Sequence, residues 1–200
     1  MGKIPFDNLC KTDGLFLVSF ETDSEYSVLK QVIENLPDKE IILIHSKLLD
    51  EDLGENVLLC DATGHSLTER AVLKARLKPQ KKITVFENPA DIRSFLINLR
   101  KLVETHKDIE YWIWWSPSDL LTQDIEEKQI AKCLRVISKD YSDVRFLVLI
   151  AKNIHSTRGF SVLEYISKGH FEVTRNSEGG YNWSIIKHPD TKQEGGSFVS

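Results

Sequence analysis

Cysteine is scarce in this chain, with three among 200 residues. Cys10, Cys60 and Cys133 are too far apart for a Cys-x-x-Cys pair. This spacing speaks against a disulfide framework and a thiolate zinc clip, and it predicts a reduced, cytoplasmic protein. Long apolar runs are missing too. The longest, such as Phe146 to Ala151, fall well short of the roughly 20 residues that a membrane-spanning helix needs. The opening Met1-Gly2-Lys3-Ile4-Pro5 has no apolar stretch of the secretory type, so no leader and no membrane partner are expected. There is no basic excess: Lys and Arg number 26 against 30 Asp and Glu, giving a formal net charge of −4. A weakly acidic chain has no global footprint for nucleic acid, which argues against DNA or RNA as a partner. Internal repeats, low-complexity segments and linkers are absent as well. One domain over 1–190 is expected, followed by a flexible polar tail over 191–200.

What the chain does contain is an alternation of short apolar runs and helix-period segments. Leu15 to Phe20, Ile41 to Ile44, Asn56 to Cys60, Ile83 to Phe86, Tyr111 to Trp115 and Val144 to Ile150 are continuous apolar runs, as expected of strands buried on both faces. Between them, Tyr26 to Leu36, Ile92 to Val103 and Ile125 to Ile137 recur at helical spacing, with Asn88-Pro89 expected to open the second helix. Ser66 to Leu77 suggests a further helical arm, and Phe160 to Ile166 a short helix. His170 to Thr174 and Tyr181 to Ile186 flank the turn residues Asn176 to Gly180, which predicts a hairpin. Strands alternating with helices call for parallel pairing through right-handed crossovers. The expected fold is therefore α/β, a mostly parallel sheet with helices on both faces and an antiparallel hairpin at the end.

In such folds chemistry sits at the carboxyl ends of the strands. A phosphate cradle after the first strand needs Gly-x-x-x-x-Gly-Lys-Ser/Thr, where glycines let backbone N–H groups reach the phosphates and the Lys neutralises them. This chain has Phe20-Glu-Thr-Asp-Ser-Glu-Tyr-Ser27 instead. Both glycines are gone, Tyr26 stands where the Lys should be, and Glu21, Asp23 and Glu25 place three like charges against a polyanion. Three of the four Trp lie in Tyr111-Trp-Ile-Trp-Trp115. That strand is expected to be core, with an aromatic interface as the sharper alternative. No Lys or Arg occurs between Lys107 and Lys128, so base stacking lacks its interleaved cations. The six histidines are scattered without metal-ligand spacing, and no metal site is expected.

Cys60-Asp61-Ala62-Thr63-Gly64 resembles the nucleophile motif of haloacid-dehalogenase-type phosphotransferases, in which the Asp forms an acyl-phosphate. That resemblance implies Asp61 as nucleophile and Asp119 with Asp124 as a pair holding Mg²⁺. The motif lacks the second Asp that most such hydrolases carry two residues on. The simpler reading is a capped strand end, with Asp61 and Thr63 bonding nearby N–H groups.

The order of elements from Leu15 to Pro189 resembles the RecA-superfamily core of KaiC-like ATPases, in particular archaeal members implicated in signal transduction. Leu15 to Ser27 takes the place of the P-loop strand, loop and helix start. Asn56 to Gly64 and Glu87 to Ile92 are similar to the central strand end and the Pro-x-Asp-Ile helix opening. Tyr111 to Leu121 is similar to the Walker B strand and its sequel, with Trp115 where the metal-organising Asp belongs. His45-Ser46-Lys47 replaces the acidic residues that follow the second core strand. The closing hairpin keeps Lys187 of a Lys-x-Arg signature and has lost the Arg. The resemblance implies a three-layer RecA-like fold with a vestigial nucleotide pocket at Phe20, Tyr26, Ser27 and Trp115, and Lys187 as an interface candidate. Each departure falls on a residue that handles ATP or Mg²⁺. The expectation is therefore a pseudo-ATPase with no cofactor and no catalytic residue, which regulates or scaffolds by assembling with itself or with an active RecA/KaiC-like paralogue. The alternative is the Asp61-dependent phosphohydrolase.

Overall fold

The computed structural model describes residues 12–36, 40–47, 49, 53–64, 83–123, 125–188 and 195–198. Cys10, His65, the arm expected over Ser66 to Leu77, Asp124 and Pro189 lie outside the described residues. The strands are β1 (Gly14–Phe20), β2 (Ile41–His45), β3 (Val57–Asp61), β4 (Ile83–Val85), β5 (Tyr111–Trp115), β6 (Arg145–Ala151), β7 (Gly169–Arg175), β8 (Tyr181–Lys187) and β9 (Gly195–Phe198). The helices are α1 (Glu25–Asn35), α2 (Ile92–Thr105), α3 (Glu127–Asp140) and α4 (Thr157–Ile166).

The strands form one sheet in the order β4-β3-β2-β5-β6-β1-β7-β8-β9. From β4 to β7 every pairing is parallel, and β8 runs antiparallel to both β7 and β9. The apolar runs explain this arrangement. A parallel strand needs a crossover, and the crossover helices cover both faces of the sheet, so its residues have no wet side. Accordingly every residue of β1, β2 and β5 is buried.

Side-chain alternation divides the core into two layers. On the α1 face, Phe16, Val18 and Phe20 of β1 meet Tyr111, Ile113 and Trp115 of β5 and Val28, Leu29 and Val32 of α1. On the other face, Trp112 and Trp114 pack with Phe95 and Leu99 of α2, Ile130 and Leu134 of α3, and Leu163 of α4. The result is the expected three-layer α/β/α arrangement. The tryptophan strand is core: Trp112 donates to the Ile109 carbonyl at 2.9 Å and Trp114 to Ser46 Oγ at 3.0 Å. Burial also silences the two described thiols, pushing Cys60 up to about 12 and Cys133 further.

Two segments differ from the sequence reading. Asn88 takes a left-handed φ of 45° and lies in a turn, and α2 begins only at Ile92. Its cap is Asp91, whose carboxylate accepts from the Arg93 and Ser94 amides at 3.3 and 3.2 Å. At the carboxyl end, Gly195–Phe198 extends the sheet within the stretch that composition marks as a tail, because β8 offers it an unpaired edge.

The aromatic stack under α2 sets a stability prediction. The Phe95 ring lies 4.5 Å from that of Trp114 and 5.1 Å from that of Phe86, and it is fully buried. Phe95→Ala is expected to cost about 3–5 kcal/mol in urea unfolding; a loss below about 1 kcal/mol would contradict this packing.

Candidate functional site

The carboxyl ends of β1, β2, β5 and β6 converge where an α/β sheet places its ligand site. Between β1 and α1 the chain makes a tight 3-10 turn over Thr22–Ser24. The Ser24 amide and hydroxyl both donate to the Glu21 carbonyl, at 2.9 and 2.7 Å. This turn closes on itself, so that amide is not directed at a ligand. Thr22 Oγ1 donates to Asn153 Oδ1 beyond β6 at 2.7 Å, and Asp23 pairs with Arg175 of β7 at 3.1 Å. These contacts pin the turn to its neighbours.

The next residue, Glu25, falls at the second glycine position of the phosphate-cradle pattern and is buried within the first turn of α1. An ionised carboxylate out of water needs a cation. Lys47, two residues beyond β2, supplies one, with its Nζ 2.6 Å from Glu25 Oε2. The other oxygen, Oε1, has no hydrogen-bond partner among the described residues. Above this pair the Tyr26 ring stands edge-on to Trp115 at 6.3 Å and 61°, and Lys30 Nζ lies 4.9 Å over the Tyr26 face. Trp115 is buried, and its Nε1 has no described hydrogen-bond partner. Phe20 is buried beneath in the core, and Ser27 is half-buried on α1. Ser116 follows Trp115 with a left-handed φ of 56°, which turns the chain into the 3-10 segment Pro117–Gln123. Asp119 on that segment is half-buried. Loss of water, and secondarily the nearby Glu25 charge, raise its carboxyl above the usual range, with Lys47 opposing.

Tyr26 and Trp115 are thus in ring contact, Phe20 is buried in the same core layer, and Glu25, Lys47 and Asp119 interact beside them. Of the acidic residues of the alternative reading, Asp124 lies outside the described residues, while Asp61 ends β3 and Asp119 follows β5, which are not neighbours in the sheet. Asp61 Oδ1 accepts from the Thr63 amide at 2.9 Å and from Thr63 Oγ1 at 2.6 Å. That is a capped strand end, buried at 1% exposure. With β2 between β3 and β5, their strand axes lie roughly 10 Å apart. Among the described residues no group of three or more His, Cys, Asp or Glu is placed to hold a metal. Lys187 turns inward: its Nζ donates to the Glu164, Tyr165 and Ser167 carbonyls at 3.1, 3.5 and 2.5 Å and so caps α4.

Two side-chain relays escaped the sequence reading because their members are far apart in the chain. His155 Nε2 lies 2.9 Å from Ser118 Oγ, and its Nδ1 lies 3.0 Å from Glu127. His170 lies 2.7 Å from Ser19 Oγ and 3.0 Å from Glu164. The pattern is that of a Ser-His-acid triad, but both hydroxyls are fully buried, so no substrate carbonyl can reach them. The first relay ties the loops after β5 and β6 to α3, and the second ties β1 and β7 to α4. Burial lowers both histidines despite their carboxylate partners.

In its fold the chain is similar to the crystal structure of a KaiC-like protein from the hyperthermophilic archaeon Pyrococcus horikoshii OT3. The TM-score is 0.62, covering 98% of this chain and 91% of that one at 16% sequence identity. The fold is therefore of the KaiC/RecA type. No protein-family model matches the chain, and no curated protein matches it in sequence. No described helix is long and apolar enough to cross a membrane.

Two pH effects follow. Asp119 binds its proton more tightly folded than unfolded, so its ionisation opposes folding as pH rises. Asp119→Asn should therefore raise the urea midpoint at neutral pH, with the gain fading as pH falls through the carboxylate range; a lower midpoint at neutral pH contradicts the assignment. His155 and His170 behave oppositely. Their lowered pKa values mean that the unfolded chain binds more protons, so stability rises with pH and levels off above about 6.5. Urea titrations across this interval should show that rise, flattened in the double variant His155→Gln/His170→Gln; a fall over the same interval refutes it.

Proposed function

We propose that this chain is a catalytically inactive RecA/KaiC-like domain, a pseudo-ATPase that regulates or scaffolds by assembling with itself or with an active KaiC-like paralogue. One observation carries the reading: the buried carboxylate of Glu25 is held by the rim lysine Lys47, and the neighbouring Tyr26 is in ring contact with Trp115. A nucleotide-binding relative keeps a lysine on the cradle and acidic residues after the second core strand. Here the signs are exchanged, with the acid on α1 and the lysine after β2.

Such a pair neutralises itself, so Lys47 is already engaged and is not available to anchor a triphosphate. The residues present do not fit Mg-ATP. The amide of Ser24 is engaged by Glu21, and a glutamate replaces the glycine whose backbone would approach the phosphates. Trp115 stands where Mg²⁺ would be organised, and phosphoryl transfer rests on positioning and charge stabilisation. What remains is a rigid sheet and its surfaces.

Isothermal titration with Mg-ATP, run beside a solution mass measurement, tests the proposal. The expected outcome is no binding heat at micromolar ATP and a species heavier than the 23.0 kDa chain without nucleotide, or co-elution with a KaiC-like ATPase. Micromolar ATP affinity refutes the lost engine. A strict monomer that also ignores the paralogue refutes the scaffold.

A further inference from the structure

Between them, α3 and α4 enclose a groove of about 370 Å³. Its floor includes Ala131 and Val162, and around it stand Lys128, Lys132, Arg135 and Arg158, all four exposed. The three cations of α3 are spaced i, i+4, i+7, which puts them on one face over about 10 Å of helix. Lys128 pairs with Glu126. Among the described residues, Lys132, Arg135 and Arg158 are joined to no carboxylate. This is a concentrated positive stripe on a chain whose net charge is −4.

Glu127 at the head of the groove commits its carboxylate to the amino end of α4, and the four cations outnumber it along the lining. Oε1 accepts from the Ser156 amide at 2.8 Å and Oε2 from Ser156 Oγ at 2.6 Å, with His155 on the same group. These hydrogen bonds hold Glu127 below the usual carboxylate range despite its partial burial. Gly159 makes the fit possible: a Cβ there would come within 2.1 Å of the Glu127 carboxyl. The Gly159 amide itself donates to Ser156 Oγ at 3.0 Å. The amino end of α4 thus already holds an anion of the chain's own.

We propose that this groove is the docking site for an acidic peptide segment of a partner protein, with apolar side chains seated on the Ala131–Val162 floor and carboxylates spread along Lys128, Lys132, Arg135 and Arg158. The proposal deepens the scaffolding reading and rests on it for the partner being a protein. The geometry selects this occupant by charge complementarity. A compact phosphate wants converging donors and open amides, whereas these cations are strung along a helix and the Ser156 and Gly159 amides are occupied. A single-stranded nucleic acid wants aromatic platforms, and no aromatic residue is among the described residues that line the groove.

The test uses fluorescence anisotropy of the full chain with a short labelled peptide alternating glutamate and leucine, at low salt and at about 0.15 M salt. Saturable binding, weakened by salt and at least about tenfold by Lys132→Glu/Arg135→Glu, is expected. The control Lys101→Glu/Lys107→Glu, on exposed positions of and after α2, should leave it unchanged. An all-glutamate peptide should bind more weakly, since it lacks the floor contact. No binding, an equal loss in the control, or tighter binding of inorganic phosphate or a single-stranded oligonucleotide overturns the proposal. The solution mass of the groove variant keeps the two readings apart: groove binding lost with assembly intact marks the groove as the docking site, while assembly failing in the parent chain refutes only the scaffold.

Discussion

A carboxylate sealed under the mouth of a parallel sheet cannot remain ionised there without a cation, and the arrangement of this site follows from that constraint. Glu25 is nearly inaccessible, with a side chain 6% exposed, while that of its partner Lys47 is 46% exposed. The lysine can therefore reach in from the rim with its stem along apolar surface and its ammonium on the acid. Once this pair is formed, the same volume cannot also offer a positive anchor to an incoming phosphate. Loss of water raises the carboxyl of Asp119, and the nearby Glu25 charge adds to it.

The rest of the mouth is closed by bulk. β5 brings five large side chains into a strand buried on both faces, and its last residue, Trp115, meets Tyr26 across the opening. Trp112 and Trp114 face the opposite layer and find partners in a carbonyl and a hydroxyl, so their indole nitrogens carry no penalty. The same strand therefore contributes to the core layers on both faces of the sheet. One Ser-His-Glu relay ties the loops that follow β5 and β6 to α3, and the other ties β1 and β7 to α4. Tight packing at one end of the sheet contrasts with the open, positively lined groove between α3 and α4.

Strand identity was legible in the sequence because residues buried on both faces must be apolar at every position, and β1, β2, β5 and β6 have little freedom to read otherwise. That Phe20 to Ser27 does not spell Gly-x-x-x-x-Gly-Lys-Ser/Thr is read from the sequence directly, since Phe20, Glu25 and Tyr26 stand at the two glycine positions and the lysine position. Helix starts were less so. Asn88-Pro89 and Asp91 both offer start chemistry, and only the left-handed turn at Asn88 decided for Asp91. The tail posed the same difficulty from the other side, because a polar, Gly-containing stretch becomes a strand only when an edge such as that of β8 is available.

Chain order and the chemistry of single positions thus determined the layered α/β fold and the absence of an intact nucleotide cradle. Tertiary structure decided what stands there instead. Glu25 and Lys47 are separated by 22 positions and Ser118 and His155 by 37, so no local pattern joins them. Whether a charge is a liability or half of a pair depends on the burial and distance of its neighbour, and those quantities exist only once the sheet has brought its strand ends together.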